Sequence, residues 1–187
     1  MKLSQTSISG AWLLDHQRHK DERGWFQEWF KRSNIEEQVG FQFQPAQINI
    51  SSSHQGVIRG IHYSIANKGQ GKLVTVMQGE IDDYAVDVRR GSPTFGKWER
   101  VRLSSDSGKS VLLQENLAHA FQVISKTALV CYSVTEEFNP DLEKAISPFC
   151  PTLRIDWNKN STISVSKKDE EAPFLDFQEA SGLLPLW

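Results

Sequence analysis

The segment Lys72–Val88, KLVTVMQGEIDDYAVDV, carries the pattern that decides the fold. Two short runs rich in aliphatic and β-branched residues lie on either side of Gln78-Gly79-Glu80, a polar segment that contains a glycine. Runs of this length, bounded by turn residues, are typical of β-strands. The sequence therefore predicts strands at Lys72–Met77 and Ile81–Val88.

The same pattern recurs on both sides of this segment. It predicts six further strands: Gln47–Ile50, Val57–Tyr63, Trp98–Leu103, Ser110–Leu113, Ala118–Val123 and Ala128–Val134. A helical pattern is limited to about Ser33–Val39, and neither a βαβ alternation nor a glycine-rich phosphate loop is present. Because each half-buried strand needs a second sheet to cover it, we expect an all-β antiparallel sandwich, or jelly roll, with short flanking helices.

Length and composition indicate one globular domain over residues 1–187. The chain is 39% hydrophobic and 24% charged, which is typical of a folded protein. Its C-terminal part is rich in proline, so we expect the segment from about residue 140 to wrap the sandwich as loops and turns.

Charge and hydropathy exclude several classes of protein. The 21 Lys and Arg residues against 23 Asp and Glu residues give a net charge of −2 without a basic run, so nucleic-acid binding is not expected. No apolar run reaches the ~18 residues of a membrane span, and the N-terminus lacks a signal-peptide pattern. We expect a cytoplasmic protein, with Cys131 and Cys150 reduced and structural.

Two of the five histidines lie in predicted strands. His16, His19 and His54 are in polar surroundings, where solvent exposure is expected. His62 lies in a predicted strand whose alternation places Gly60 on its face, leaving open space beside it, and Arg59 on the opposite face. Ile58 shares the face of His62, whereas Ile61 and Tyr63 share that of Arg59. From these residues alone, a structural role for His62, satisfied by a hydrogen bond, and a catalytic role are equally consistent with the sequence.

His119 begins another apolar strand and suggests a cavity shared with His62. Metal-binding cupins typically have two histidines two residues apart, but Ser64 occupies that position after His62 and no His-x-His is present. The pattern therefore favours acid/base chemistry without a metal. Tyr132, in another apolar strand, has a phenol that suits a general acid if it faces the same cavity, although ordinary packing remains open.

The chain resembles the nucleotide-sugar 3,5-epimerases typified by dTDP-4-dehydrorhamnose 3,5-epimerase. The motifs of this resemblance, spread in order along most of the chain, are Asp21-Glu22-Arg23-Gly24-Trp25-Phe26-Gln27-Glu28, Gln47-Ile48-Asn49, Val57-Ile58-Arg59-Gly60-Ile61-His62, Gln70-Gly71-Lys72-Leu73-Val74, Ala85-Val86-Asp87-Val88-Arg89, Ser92-Pro93-Thr94-Phe95-Gly96-Lys97-Trp98, Ala118-His119-Ala120-Phe121 and Ser166-Lys167-Lys168-Asp169. The resemblance implies a cupin jelly roll that forms homodimers and uses no metal or organic cofactor. It also implies proton transfer at C3 and C5 of a nucleoside-diphosphate 4-keto-6-deoxyhexose, where the C4 ketone acidifies both positions.

The resemblance implies a role for each candidate residue. His62 matches the proton acceptor, Asp169 the carboxylate that pairs with it, and Tyr132 the proton donor on the opposite face. Lys72 matches the cation that stabilises the enolate, and His119 would assist in binding the sugar. Residues implied for the diphosphate and nucleotide are Arg23, Glu28, Gln47, Asn49, Arg59, Glu143 and Lys168; some of these come from an arm exchanged between subunits.

Departures from the family pattern leave the substrate open. Ile61-His62-Tyr63-Ser64 stands where rhamnose-type members usually read Leu-His-Phe-Gln, and Ala120 replaces the usual glycine after the second histidine. The nucleotide, the sugar and the choice between C3, C5 and both are therefore undecided. Alternatives are a single-centre epimerase for another deoxysugar, including a CDP- or GDP-linked one, a ketoisomerase, and a non-catalytic sugar-nucleotide binding module.

Overall fold

The computed structural model describes residues 1–187, which form fourteen strands and three helices. In chain order these elements are β1 (Lys2–Gln5), β2 (Ala11–Asp15), β3 (Arg18–Asp21), β4 (Gly24–Gln27), α1 (Arg32–Val39), β5 (Gln47–His54), β6 (Val57–Ser64), β7 (Lys72–Gln78), β8 (Glu80–Val86), β9 (Trp98–Ser104), β10 (Lys109–Leu113), β11 (Ala118–Val123), β12 (Thr127–Val134), β13 (Glu143–Ala145), β14 (Ser164–Val165), α2 (Lys167–Glu170) and α3 (Leu175–Ala180). The longest helix, α1, has eight residues, so no helix can cross a membrane.

Two β-sheets are stacked on each other. The first has the order β1-β2-β10-β7-β12-β5, and the second has the order β13-β6-β11-β8-β9. All pairs within these orders are antiparallel, and β14 adds a parallel pair at β6. Strands β3 and β4 form a separate two-stranded hairpin. This arrangement confirms the predicted all-β jelly roll, and each predicted strand is present.

Burial divides the molecule into layers. Side chains from both sheets, such as Val74 of β7 and Ile81 of β8, form a core between them. The outer face of the first sheet packs against Ile35 of α1 and its surroundings. The outer face of the second sheet is covered by the C-terminal segment, including Trp157 and Leu184. On each strand, alternate residues therefore face either the space between the sheets or an outer layer.

Six strands were not predicted, and the ends of β5 and β8 differ from the prediction by two or more residues: β5 continues to His54 instead of ending at Ile50. Strands β1 to β4, β13 and β14 have two to five residues each, too few for a period-two pattern to be recognised. Strand β8 ends at Val86 instead of Val88 because Asp87 leaves the sheet. Its carboxylate accepts hydrogen bonds from Arg89 Nε at 2.8 Å and Ser92 Oγ at 2.6 Å.

A β-bulge in β6 overturns the predicted assignment of Arg59 and His62 to opposite faces. His62 pairs with His119 and Arg59 with Phe121, so three steps along β6 match two along β11. The extra residue shifts the alternation, and both side chains face the cavity between the sheets.

The predicted open space at Gly60 is also wrong, because β11 fills it. A Cβ built on Gly60 would lie 2.5 Å from Ala120 Cβ and 2.7 Å from the backbone oxygen of His119. Gly60 also has a φ of +123°, a conformation that residues with a side chain rarely adopt. The close approach of β11 therefore requires glycine here.

One histidine prediction is wrong and the cysteine prediction is confirmed. His19 and His54 are exposed as expected, but His16 is buried. His16 follows β2 directly and faces the segment after β4, a contact that the local sequence does not reveal. Cys131 and Cys150 are both free and buried.

Candidate active site

An open cleft between the two sheets contains most of the predicted site residues. It has two lobes, of about 290 Å³ and 350 Å³, whose linings share His62, Lys72 and Tyr132. Lys72 and Tyr132 come from β7 and β12 of the first sheet, whereas His62 comes from β6 of the second. The two sheets therefore present these groups from opposite walls.

His62 forms a hydrogen-bonded pair with Asp169. The distance from His62 Nε2 to Asp169 Oδ1 is 2.7 Å, with the imidazole 39% exposed and the carboxylate 7% exposed. Asp169 lies on α2, where Ser166 Oγ caps the helix by accepting a hydrogen bond from the Asp169 amide at 3.1 Å. A histidine held through one ring nitrogen can accept a proton on the other.

The pKa of Asp169 favours this arrangement. Burial raises this pKa, but hydrogen bonds from His62 and from the backbone amide of Gly60, with the charge of His62, outweigh burial. The net result is a pKa below the usual range for an aspartate. The carboxylate therefore stays ionised at neutral pH and can stabilise a protonated imidazole.

Tyr132 is suited to donate a proton. Burial raises the pKa of its phenol, and the charge of Glu143 acts in the same direction, while Arg59 acts against it. The phenol therefore keeps its proton at neutral pH. Since Tyr132 and His62 line the cleft from different sheets, a molecule between them has an acceptor on one side and a donor on the other.

Lys72 is a buried cation at the base of the cleft. Its side chain is buried, and burial lowers its pKa against the opposing effects of Glu143 and Asp83. An ammonium group in such a low-dielectric position stabilises negative charge that develops nearby more strongly than it would in water.

A second imidazole–carboxylate pair lies beside the first, and the sequence prediction missed half of it. His119 Nε2 is 2.7 Å from Oδ2 of Asp83, a fully buried residue on β8 whose Oδ1 has no hydrogen-bond partner. The sequence signal for this pair is the presence of two adjacent aspartates, Asp82 and Asp83, inside an otherwise apolar predicted strand. Asp82 faces the opposite way and binds Arg102 Nε at 2.5 Å.

The outer parts of the cleft contain most of the residues predicted to bind the nucleotide. Gln47, Asn49, Glu143 and Lys168 line one lobe, and Arg59 lines the other. Gln47 Nε2 donates to Asn49 Oδ1 at 2.7 Å, which orders this polar wall. The lining also includes residues that the sequence prediction missed: Ser51, Gln70, Phe138, Lys144 and Ser166.

Arg23 and Glu28 are not brought to this cleft. Both belong to the β3–β4 hairpin or its end and line neither lobe. The Arg23 side chain is 85% exposed and forms an ion pair with Asp21 at 2.5 Å. Within one chain, these two residues cannot complete the site.

The cleft contains side chains that can accept and donate protons. No group of three or more His, Cys, Asp or Glu side chains is placed to hold a metal ion, and the metal-free site stays a prediction. An imidazole–carboxylate pair faces a protonated phenol and a buried ammonium group. Together these groups can remove a proton from a carbon acid, stabilise the resulting anion and return a proton from the other side.

Comparison with known proteins identifies the family. The family model of dTDP-4-dehydrorhamnose 3,5-epimerase matches residues 5–176. The chain is 36% identical to dTDP-4-dehydrorhamnose 3,5-epimerase of Mycobacterium tuberculosis, covering 100% of this chain and 94% of the relative. It is 38% identical to dTDP-4-dehydro-6-deoxyglucose 3-epimerase of Streptomyces bikiniensis, covering 97% and 92%.

A solved structure extends the likeness to three dimensions. The dTDP-6-deoxy-D-glucose-3,5-epimerase of Legionella pneumophila, in complex with dTDP-4-keto-L-rhamnose, superposes with a TM-score of 0.94. It is 38% identical in sequence, and the match covers 100% of this chain and 98% of that one. The resemblance inferred from the motifs is confirmed, and the chain belongs to the dTDP-4-dehydrorhamnose 3,5-epimerase family.

Proposed function

We propose that this protein epimerises a nucleoside-diphosphate 4-keto-6-deoxyhexose by proton transfer. The observation that carries the proposal is the His62–Asp169 pair, which shares one cleft with Tyr132 and Lys72. Family relatives with 3,5-epimerase and 3-epimerase names support this substrate class. We further propose that the reaction is cytoplasmic and needs no metal or organic cofactor, because side chains can carry every proton and charge involved.

The proposed reaction runs through an enolate. His62 removes the proton from a carbon next to the ketone, and the electron pair of the broken C–H bond moves onto the ketone oxygen. Lys72 stabilises the negative oxygen, while Asp169 orients the imidazole and stabilises its protonated form. Tyr132 then protonates the same carbon from the opposite face. His62 and Tyr132 return to their starting states by exchanging protons with water.

The remaining residues are assigned to substrate binding. His119, held by Asp83, contacts the sugar in the inner part of the cleft. Arg59 and Lys168 supply positive charge for the diphosphate, and Gln47, Asn49 and Glu143 supply polar groups for the rest of the nucleotide. Arg23 and Glu28 join them only if a second subunit contributes its hairpin.

Solvent deuterium incorporation tests the reaction. Incubation of the enzyme with dTDP-4-keto-6-deoxyglucose in D₂O is expected to place deuterium at C3, or at C3 and C5, measured by NMR. Incorporation follows because the donating phenol exchanges with solvent. Incorporation at one carbon identifies a single-centre epimerase, as the name of the Streptomyces bikiniensis relative suggests. No incorporation with thymidine-, cytidine- or guanosine-linked 4-keto sugars contradicts the proposal and favours a binding module.

We also propose that the active protein is a homodimer. The β3–β4 hairpin carries Arg23 away from its own cleft and exposes Trp25 and Phe26. Ile48 and Ile50, on edge strand β5 of the first sheet, are also exposed. A second subunit would cover such apolar side chains and place its hairpin at this cleft.

Complementation between two impaired variants tests the exchanged hairpin. His62→Asn removes the base from the cleft, and Arg23→Ala removes the cation from the hairpin. When the two are co-expressed, each mixed dimer has one site with both defects and one site with neither. About a quarter of wild-type activity is therefore expected at low substrate concentration for random pairing. No recovery in verified mixed dimers, or full activity of a monomer in sedimentation, contradicts the proposal.

A further inference from the structure

The β3–β4 hairpin stands outside both large sheets. Its strands pair only with each other, from Arg18 with Gln27 to Asp21 with Gly24. A two-stranded hairpin alone is marginally stable in water. Side-chain contacts near its ends must therefore set the direction in which it projects.

His16 makes the central contact at the base of the hairpin. The residue is 5% exposed, and its Nδ1 lies 3.2 Å from the backbone oxygen of Glu28. Its Nε2 lies 2.9 Å from Oγ of Ser110, a fully buried residue on β10. One ring therefore connects the chain entering the hairpin, the chain leaving it and the first sheet.

The chemistry of the partners fixes the protonation of this ring. A carbonyl oxygen can only accept, so Nδ1 carries the hydrogen that is donated to Glu28. In the neutral ring, Nε2 then accepts the hydrogen of the Ser110 hydroxyl. Burial lowers the pKa of His16, which favours this neutral form.

Arg18, the first residue of β3, makes further contacts near the base of the hairpin. Its Nη1 and Nη2 donate to the backbone oxygens of Asp106 at 3.0 Å and Ser105 at 2.5 Å, in the turn between β9 and β10. Its guanidinium also stacks 3.9 Å from the ring centroid of Trp25 on β4. The hydrogen bonds join the hairpin to the turn before β10, and the stack joins its two strands.

We propose that His16 is a positioning residue for substrate binding: it holds the hairpin so that Arg23 and Glu28 reach the nucleotide end of the substrate in the partner subunit's cleft. This inference rests on the proposed function and on the exchanged hairpin. It assigns a role to a residue that the sequence alone predicted to be exposed and without function.

Kinetics of two His16 variants test the proposal. His16→Ala leaves the Glu28 carbonyl without its donor, and KM is expected to rise about tenfold while kcat changes less than about twofold. The Kd of dTDP alone, measured by calorimetry, should rise in parallel. His16→Asn can still donate from the position of Nδ1 and is expected to recover most of the affinity. If His16→Ala does not fold, Ser110→Ala, which removes only the Nε2 contact, should raise KM in the same direction.

A control and a double mutant separate positioning from general destabilisation. Leu184→Ala removes a buried side chain from the C-terminal layer on the outer face of the second sheet, away from the contacts of the hairpin with the first sheet, and should lower Tm without changing KM. In the double mutant His16→Ala/Arg23→Ala, KM should rise little beyond either single variant, because both changes disable the same hairpin.

The outcomes distinguish this inference from the proposed function. Independent, multiplying effects of the two substitutions, or an unchanged KM in His16→Ala with normal turnover, would overturn the role of His16 alone. Failure of the wild-type protein to exchange deuterium into any 4-keto sugar nucleotide would instead overturn the proposed function.

Discussion

Replacing His62 with asparagine is expected to lower kcat by roughly 10²–10⁴-fold, the usual effect of losing a general base. Asparagine is smaller, polar and able to hydrogen bond with Asp169, but it cannot accept a proton at neutral pH. The fold and nucleotide binding should persist because His62 is part of the cleft wall and not of the hydrophobic core. The rate of deuterium incorporation at saturating substrate, measured by NMR, gives kcat, and calorimetry gives the Kd of dTDP.

A matched histidine provides the control for this experiment. His54, at the end of β5, is exposed and lines neither lobe of the cleft, so His54→Asn should leave kcat unchanged. A kcat for His62→Asn within tenfold of wild type, with the fold intact, would remove His62 from the reaction. Loss of both dTDP binding and the thermal transition would show instead that the substitution acts through folding.

Replacing Gly60 with alanine is expected to cause the largest loss of stability among single substitutions at the cleft. The added Cβ would meet Ala120 Cβ at 2.5 Å and the His119 backbone oxygen at 2.7 Å, and neither can move without separating β6 from β11. The positive φ adds backbone strain. Combined strain and overpacking predict a loss of about 2–6 kcal/mol, or a drop in Tm of roughly 5–20 °C, measured by circular dichroism.

The substitution should also reduce activity in the protein that still folds. The Gly60 amide helps to lower the pKa of Asp169, so displacement of this backbone disturbs the His62–Asp169 pair. Gly96→Ala is the matched control, since Gly96 also has a positive φ but nothing lies within 4 Å of its Cβ position. Equal Tm values for the two variants would mean that the contact with β11 contributes nothing.

The sequence was most informative about features that depend on residues close together in the chain. Alternation and turn residues predicted every strand of the central sheets that has five or more residues, except β2. Motifs spread along the chain indicate the family without any information on geometry. They also pointed to His62, Tyr132, Lys72 and Asp169, which the fold brings to one cleft.

Tertiary structure decided the features that depend on contacts between distant segments. The bulge that turns Arg59 to the side of His62 lies where the backbone of β11 approaches Gly60, and no local pattern of β6 reports that approach. The burial of His16 depends on Glu28 and Ser110 meeting at one ring.

By itself, then, the sequence determined an all-β sandwich, its family and its candidate catalytic groups, because strand period, turn chemistry and motif order can be read from the order of residues along the chain. The tertiary structure alone decided which side chains face the cleft, which of them pair and how burial shifts their pKa values. These depend on packing across the sheets: His62 and Asp169, 107 positions apart, meet because α2 packs beside β6. For the same reason, Arg23 and Glu28 lie outside the cleft of their own chain.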